Sequence, residues 1–247
     1  DINSLKVGKD LSEAIFAEPN NTMKFCDVPK TGVTVQPGVI NDGVGKFVKD
    51  IINTSPDSDN FEDSLMESGA EILINLLPVG SEKAVKYYAQ AAINSNVGFI
   101  NCIPVFIARD EEWYQKFKDA SVPLIGDDIK SQVGATIVHR ALAQLFSDRG
   151  VKLENTYQLN VGGNMDFLNM LEEDRLETKR TSKTSSVTSV ANKGTGISAD
   201  NVRIGPSDYV KWLEDRKKAF IRLEGKAFGG APLNIEVQLE VWDSPNS

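Results

Sequence analysis

The sequence predicts an α/β domain with a parallel sheet, joined to an α+β domain. In the first half of the chain, apolar runs without internal alternation are separated by helical patterns, which is typical of parallel strands covered by helices on both faces. In the second half, apolar and polar residues alternate strictly, which indicates antiparallel strands with one face in water or at an interface. A chain of 247 residues can bury the core of one large domain or of two smaller ones.

The first half is predicted to contain strands and helices in alternation. Its strands are expected over three apolar runs, Ala70–Pro78, Val97–Ile103 and Val122–Ile125. Ser81 is expected to begin the helix after the first strand, and Asp110 the helix after the second, because short polar side chains accept hydrogen bonds from free N–H groups at a helix start. Since ligands bind beyond the carboxyl ends of parallel strands, we expect a crevice lined by three turns, Leu77–Ser81, Cys102–Pro104 and Gly126–Lys130.

The second half is predicted to begin with a helix over Ala135–Ser147, whose apolar residues recur every three to four positions. A strand is expected at Tyr157–Val161, and two more on either side of the Gly-Gly turn at 229–230. The last of them, Ile235–Val241, could form a sheet between subunits. The stretch Val187–Ile204 is rich in Ser, Thr, Asn and Gly and is predicted to be a loop.

The composition excludes several classes of protein. A net charge of −8 and the lack of a basic block argue against a nucleic-acid-binding surface. No apolar run reaches the roughly 18 residues that span a bilayer, so no membrane partner is expected. Cys26 and Cys102 are isolated, and we therefore expect buried, reduced thiols without zinc, consistent with a cytoplasmic protein.

Two acidic residues, Asp127 and Asp128, follow the third predicted strand. Adjacent acids at a turn can be helix caps or solvated surface, and that alternative stays open. The next residues favour a ligand instead, since free N–H groups and hydroxyls at a helix start bind phosphate. They are Ser131, Gln132, Gly134 and Thr136. An acid beside such a site could coordinate a cation or orient a lysine, and Asp128 is the candidate metal ligand.

Two lysines, Lys179 and Lys183, are spaced four residues apart and would share one face of a helix. They could form a solvated basic face. If both point into a cleft, mutual repulsion and loss of solvent lower the pKa of one lysine towards the range of a general base. The other lysine then stays charged and stabilises an oxyanion or a phosphate.

The Gly-Gly pair at 162–163 allows either a positive φ or a close backbone approach. The polar residues after it could bind sugar hydroxyls, or they could form a plain turn. They are Asn164, Asp166 and Asn169. The only histidine, His139, lies inside a predicted helix and is interpreted as structural, which leaves little support for a Ser-His-Asp triad.

Six segments of the chain, in order, resemble the myo-inositol-1-phosphate synthase family, especially its shorter prokaryotic form. They are VGKDLSEAIFAEPNNT, LPVGSEKA, GDDIKSQVGATIVHRALAQLF, NVGGNMDFLNMLEEDRLETKRTSKT, IGPSDYVKWLEDRKKAF and LEVWDSPNS. Each motif alone is weak, but six in order over nearly the whole chain are specific. The resemblance implies an NAD-dependent isomerase with a Rossmann domain and an α+β domain, which carries catalytic residues and builds a homotetramer.

The chemistry that the resemblance implies starts from D-glucose 6-phosphate. Oxidation at C5 gives a ketone, loss of a proton at C6 gives an enolate, and the enolate closes the ring by an aldol reaction at C1 before the ketone is reduced again. The product is 1L-myo-inositol 1-phosphate, which serves inositol and phospholipid biosynthesis. Because enolate, aldolate and phosphate are all anionic, a site rich in lysine suits this reaction.

The resemblance also implies site residues. The expected catalytic residues are Lys179, Lys183, Lys217, Asp128 and Asp166, with Lys179 and Lys217 acting at C5 and Lys183 at C1 or the phosphate. The expected phosphate-binding residues are Ser131, Gln132, Gly134, Ala135 and Thr136. The expected NAD-binding residues are Asp1, Ile2, Asn20, Asn21, Thr22, Leu77, Pro78, Val79, Gly80 and Asp128. A divalent or monovalent cation is a further expectation, with Asp128 as its ligand.

The resemblance divides the chain into three parts. Residues 1–128 are expected to be the remainder of the Rossmann domain, 129–241 the catalytic and tetramerisation domain, and 242–247 the start of a return to the Rossmann domain. Asp1 matches the end of the second Rossmann strand, so the first strand and the glycine-rich loop are expected to be missing. The chain is therefore expected to be an enzyme truncated at both ends and inactive by itself.

Two alternatives share the pattern of strands and helices. An ordinary NAD-dependent sugar-phosphate dehydrogenase would release NADH, whereas a synthase accumulates none. A non-catalytic regulator that binds NAD or a sugar phosphate would be favoured if the catalytic lysines were replaced. The lysines at positions 179, 183 and 217 are intact.

Overall fold

The structure, a computed structural model, describes residues 1–56, 60–172 and 197–246. The chain divides into two compact units, Asp1–Ile129 and Lys130–Ser247. We call them unit 1 and unit 2. Over the described ranges, no helix combines the length and the apolar character that crossing a membrane requires.

Unit 1 contains a parallel sheet of β1 (Ile72–Asn75), β2 (Gly98–Asn101) and β3 (Leu124–Ile125), with β2 in the centre. This confirms the predicted parallel strands, although each is shorter than its apolar run. The helices of unit 1 are α1 (Leu11–Ala14), α2 (Phe61–Ser68), α3 (Glu82–Asn94) and α4 (Glu111–Ala120).

The core of unit 1 lies between the sheet and helices α3 and α4. Val85 of α3 and Phe117 of α4 are almost fully buried against Phe99 of β2, and the two phenylalanine rings stack with centroids 6.0 Å apart. The opposite face of the sheet carries Ile72 and Ile74, each more than half exposed. The prediction that helices cover both faces is therefore wrong for the described part of this unit, since α3 and α4 both pack on one side.

The two predicted helix caps have different outcomes. Asp110 is confirmed, because its carboxylate accepts a hydrogen bond from the Trp113 N–H at 3.1 Å. Ser81 occupies the position before α3 but its side chain makes no capping bond. The carboxylate of Asp42 accepts from the N–H groups of Lys83 and Ala84 at 2.9 and 2.8 Å instead. A charged acceptor is favoured there over a hydroxyl, because the helix start carries a partial positive charge.

Unit 2 is a four-stranded mixed sheet with one long helix. Its strands are β4 (Lys152–Gly162), β5 (Val202–Tyr209), β6 (Arg216–Lys226) and β7 (Pro232–Trp242), in the order β5-β4-β6-β7. Strands β4, β6 and β7 are antiparallel as predicted, whereas β5 runs parallel to β4. The helices are α5 (Ala135–Asp148) and the short α6 (Met165–Asn169).

The predicted loop Val187–Ile204 needs a correction at its end. Residues 187–196 lie outside the described residues. Val202 and Ile204 belong to β5, where they pair with Thr156 and Gln158 of β4. Backbone pairing and the burial of Ile204 outweigh the polar composition of the residues before it.

Helix α5 covers one face of the sheet. Phe146 of α5 packs in a core with Leu153 of β4 and Leu223 of β6, all three almost fully buried. The other face of the sheet carries Leu159 and Phe220, which are 39% and 36% exposed. The strict alternation in the sequence therefore reflects a sheet with one covered and one open face.

One further expectation differs from the structure. Cys26 is exposed, not buried, because it lies in a stretch with neither helix nor strand, while Cys102 is half-buried. The last described residues contact unit 2, since Ser244 donates to Asp215 and Asn246 bonds to Val133. The return of residues 242–247 to the Rossmann domain stays a prediction.

Candidate active-site elements

The carboxyl edge of the sheet in unit 1 separates the two adjacent acids. Asp127 is buried, and its carboxylate accepts from Asn101 Nδ2 at 2.7 Å. It also accepts from three successive backbone N–H groups, those of Ile107, Ala108 and Arg109, each at 3.1 Å. Asp128 is half-buried and has a φ of 68°, which turns the chain away from the strand. The carboxylate of Asp127 is thus enclosed by its partners, whereas Asp128 is more exposed at the same edge of the sheet.

The other expected NAD-binding residues of unit 1 are in turns. Leu77 N–H donates to Asn75 Oδ1 at 3.1 Å, and Gly80 has a φ of 88° just before α3. The Asp1 carboxylate accepts from the Asn3 N–H at 2.8 Å and remains exposed. Asn20 Oδ1 accepts from the Thr22 N–H at 2.9 Å, which shapes that segment as a local turn.

The start of α5 in unit 2 is the candidate phosphate site. Gly134 precedes the helix, and a Cβ there would lie 2.7 Å from the Cβ of Ser131, so the turn has room only for glycine. Asn246 holds the turn in place, because its carbonyl oxygen accepts from Gln132 N–H at 2.7 Å and its side chain bonds to Val133 in both directions. The first turn of α5 carries no acidic side chain that would repel an anion.

Lys217 lies in a polar cluster at the end of the sheet in unit 2. Its Nζ donates to Asp243 Oδ1 at 2.8 Å, and the two side chains are 16% and 15% exposed. Asn164 Nδ2 lies 3.3 Å from Asp243 Oδ2 and 3.4 Å from Asp215 Oδ1. Asp215 is fully buried and accepts from the N–H and the hydroxyl of Ser244 at 3.1 and 2.7 Å. We call these residues the lysine cluster: Lys217, Asp243, Asn164, Asp215 and Ser244.

The Gly-Gly pair allows this cluster to form. A Cβ at Gly162 would lie 2.4 Å from the ring of Phe167, and one at Gly163 would lie 2.4 Å from the backbone nitrogen of Glu214. Neither glycine has a positive φ, so close approach is the reason for both. Asn164 then begins α6, since its Oδ1 accepts from the Phe167 N–H at 3.1 Å.

His139 is buried in the core of unit 2, as its structural interpretation requires. Its Nε2 lies 2.6 Å from the hydroxyl of Thr156, and its Nδ1 lies 3.3 Å from Gln158 Oε1. Burial lowers the pKa of His139 to about 4, and the contact with Gln158 acts in the opposite direction. The imidazole is therefore neutral at pH 7 and enclosed by protein.

Comparison with known proteins gives the same family from sequence and from structure. The sequence profile described as Myo-inositol-1-phosphate synthase matches residues 134–244. The inositol-3-phosphate synthase of Mycolicibacterium smegmatis is 59% identical over the whole chain, which spans 69% of that protein. The inositol-3-phosphate synthase of Mycobacterium tuberculosis is 58% identical over the whole chain, which spans 67% of it. The chain belongs to the myo-inositol-1-phosphate synthase family.

The fold agrees with that assignment. The crystal structure of Ari2 superposes on the whole chain with a TM-score of 0.75 and 36% sequence identity, and the chain spans 66% of it. The predicted α/β class, a Rossmann-like domain with an α+β domain, is thereby confirmed.

Within this myo-inositol-1-phosphate synthase fold, the described site residues fall in two groups. Unit 1 holds the expected NAD-binding residues, and unit 2 holds the turn that is expected to bind phosphate, Lys217 and Asp166, which is half-buried in α6. Lys179 and Lys183 lie outside the described residues. No three His, Cys, Asp or Glu side chains come together as a metal site in the described ranges, and the cation at Asp128 stays a prediction.

Sequence reasoning missed five residues of these networks. They are Asn75, Asn101, Asp215, Asp243 and Ser244. Asn75 and Asn101 carried a usable signal, because both are polar residues that end an apolar strand. Asp215 directly precedes β6 and Asp243 directly follows β7, and only the antiparallel pairing of these two strands brings the two acids together.

Proposed function

We propose that this chain carries active-site elements of an enzyme that converts D-glucose 6-phosphate into 1L-myo-inositol 1-phosphate with bound NAD. The observation that carries the proposal is the 59% identity over the whole chain with the inositol-3-phosphate synthase of M. smegmatis. The reaction is a net isomerisation, so the protein is proposed to be an isomerase that acts in the cytoplasm.

The residues of unit 1 fit a dinucleotide. When bound, NAD supplies a hydride acceptor for C5 of the substrate and returns the hydride to the same carbon. The turn Leu77–Gly80 begins at the carboxyl end of a parallel strand, where such ligands bind. The exposed carboxylate of Asp1 can accept hydrogen bonds from ribose hydroxyls. Asn20, Asn21 and Thr22 are proposed to lie near the nicotinamide, and Asp128 is proposed to contact the cofactor and any cation.

The lysine cluster supplies positive charge for the anionic intermediates. Asp243 holds the ammonium of Lys217 in one place, and a fixed, partly buried ammonium stabilises an oxyanion better than a mobile one in water. Lys217 is therefore proposed to stabilise the oxygen at C5. Lys179 and Lys183 are proposed to complete the set, with Asp166 as a further acid of the site.

The turn before α5 is proposed to bind the phosphate of the substrate. The first N–H groups of a helix have no partner within the helix, and they bind anions together with the partial positive charge of the helix start. Two observations support this assignment, namely the 14-residue length of α5 and the absence of an acidic side chain from its first turn. Ser131, Gln132, Gly134, Ala135 and Thr136 are the residues concerned.

The assembly is proposed to be a homotetramer that uses the open face of the sheet in unit 2. Leu159 and Phe220 form its apolar centre, and the pairs Arg222–Glu236 and Lys218–Glu240 flank that centre. A patch that carries both signs of charge can pair with its own copy across a two-fold axis. Light scattering should give four times the subunit mass, and a monomer would contradict the proposal.

The test uses the product of the complete reading frame that encodes this chain. The purified protein is incubated with glucose 6-phosphate and a catalytic amount of NAD, and phosphorus NMR follows the products. An inositol monophosphate without a net rise in absorbance at 340 nm is expected. A steady rise would indicate an ordinary sugar-phosphate dehydrogenase, and binding of NAD without reaction would indicate a regulator.

A further inference from the structure

Three buried polar side chains form a continuous row across the sheet of unit 1. Asn75 and Asn101 are the last residues of β1 and β2 and face each other in the register of the sheet. Asp127 follows β3. The three residues are 4%, 2% and 8% exposed, although asparagine and aspartate are seldom buried so deeply. We call this row the polar ladder.

The hydrogen bonds of the polar ladder all run in one direction. Leu77 N–H donates to Asn75 Oδ1 at 3.1 Å, and Asn75 Nδ2 donates to Asn101 Oδ1 at 2.8 Å. Asn101 Nδ2 then donates to Asp127 Oδ1 at 2.7 Å. A carboxylate only accepts and a backbone N–H only donates, so the two ends fix the orientation of both amides. Neither asparagine can flip without placing two acceptors or two donors against each other.

The polar ladder joins the turns at the ends of the three strands through side chains, in addition to backbone bonds such as that from Ile129 N–H to the Cys102 carbonyl at 2.9 Å. Its first bond holds the Leu77–Gly80 turn through Leu77. Its middle residue also donates to the Val105 carbonyl at 2.6 Å, and its last residue accepts from the backbone of Ile107, Ala108 and Arg109. Asp128 is the next residue in the chain after Asp127, so fixing Asp127 also restricts the backbone position of Asp128. The turns at the ends of all three strands are therefore tied into one hydrogen-bonded unit.

Burying the polar ladder costs free energy of desolvation, which apolar side chains at the same edge of the sheet would not require. Each buried polar group needs a partner, and a broken partner leaves the remaining group unsatisfied. In the described residues, the buried side-chain polar atom without a partner is Ser95 Oγ, so the ladder itself is complete. Apolar side chains would fill the same space without this requirement, but they could not hold the turns in a single arrangement.

We propose that Asn75, Asn101 and Asp127 are positioning residues for the cofactor. They hold the Leu77–Gly80 turn and Asp128 at a fixed spacing so that both contact the same NAD molecule, and they do not touch NAD themselves. This inference rests on the proposed function, because that function assigns the turn and Asp128 to NAD.

The main test is Asn101→Asp in the product of the complete reading frame. The change keeps the shape of the side chain but places a second carboxylate against Asp127 and the Val105 carbonyl. NAD binding, measured by titration calorimetry without substrate, should weaken about tenfold, as expected for a buried network left unsatisfied. Hydrogen exchange of the cofactor-free protein should show faster exchange at Leu77 and at 107–109. Asn75→Asp, which breaks only the bond to Asn101, should show a smaller change of the same kind.

Val122→Ala is the matched control. Val122 is buried in the same unit but lies before β3, at the opposite end of the strand from the ladder. Its truncation should lower the thermal midpoint, leave exchange at Leu77 unchanged and leave NAD binding within twofold.

Several outcomes would overturn the inference. Unchanged NAD affinity in both ladder variants would show that the ladder serves stability alone, and an equal loss in Val122→Ala would show the same. If Asn101→Asp does not fold, Asn75→Asp decides between these results. A wild-type protein that binds NAD but forms no inositol phosphate would refute the proposed function and leave this comparison intact. A wild-type protein that binds no NAD would overturn both.

Discussion

The polar ladder of unit 1 and the lysine cluster of unit 2 are built on opposite principles. The ladder has two neutral amides and one carboxylate, is almost fully buried, and gives each of its amide oxygens a donor. The lysine cluster has one cation and two carboxylates, and its Lys217 and Asp243 keep about one sixth of their side-chain surface exposed. A buried, satisfied network can only hold position. A partly open ion pair can also meet a substrate, because an ammonium has three donors and Asp243 takes one of them.

The contrast between the two networks requires that the ammonium of Lys217 takes part in turnover. Lys217→Met should lower kcat by about 100- to 1,000-fold, since loss of one fixed donor to an oxyanion has effects of that size. Lys226→Met is the matched control, because Lys226 lies at the opposite end of the same strand, is exposed and pairs with Glu154 at 3.0 Å. The control should keep a near-normal rate. Equal losses in both variants, measured as product formation by phosphorus NMR, would assign the effect to the strand and not to the ammonium.

The partner of Lys217 should matter less than the lysine itself. Asp243→Asn keeps Lys217 but replaces the charged acceptor of its hydrogen bond with a neutral one. A charged acceptor contributes about 2 kcal/mol to such a bond. We expect kcat to fall roughly 30-fold with a small change in KM, because orientation is lost and not binding. Glu154→Gln, which weakens the pair with the exposed Lys226, serves as the control and should have little effect. A normal kcat for Asp243→Asn would show that Lys217 is positioned by other groups.

Unlike the residues of the two networks, His139 should affect stability alone and not the binding of NAD or the rate of turnover. Its pKa is about 4 in the folded protein and about 6.5 in the unfolded chain, so between these values the unfolded state binds the extra proton. Stability should therefore fall as the pH decreases, by about 1.4 kcal/mol at pH 5.5 relative to pH 8. Urea unfolding at the two pH values measures the difference. His139→Leu should reduce it, and an unchanged difference would assign it to the carboxyl groups.

Helix capping should give the smallest effect. Asp42→Ala removes the acceptor for two N–H groups at the start of α3 and should destabilise the protein by about 1 kcal/mol. Asp110→Ala at α4 should have a similar effect, whereas Ser81→Ala should have almost none, since the Ser81 side chain does not cap. Thermal unfolding of the three variants tests this order. A larger loss for Ser81 than for Asp42 would contradict it.

Local patterns predicted the elements, and contacts between distant residues decided the sites. The parallel strands and the helices α3 to α5 follow from runs and periods that lie within a short stretch of sequence. Asp127 and Asp128 could not be told apart, because the partners of Asp127 lie about 20 residues earlier in the chain. Ser81 was displaced as a cap by Asp42, which is about 40 residues away.

The lysine cluster shows the same limit in unit 2. Its members come from three separate places, the end of β4, the start of β6 and the end of β7. No spacing in the sequence predicts that the side chains of Asn164 and Asp243, which are 79 residues apart, lie within hydrogen-bond distance. The family resemblance predicts Lys217 as a catalytic residue, but only the pairing of the strands shows which carboxylate contacts it.

The most direct test of the central claim is the fate of the hydrogen at C5. Glucose 6-phosphate labelled with deuterium at C5 is supplied to the product of the complete reading frame with a catalytic amount of unlabelled NAD. We predict that the inositol monophosphate retains the deuterium in mass spectrometry, because the hydride removed from C5 returns to the same carbon. Deuterium that accumulates in free NADH, together with an oxidised sugar phosphate, would contradict it.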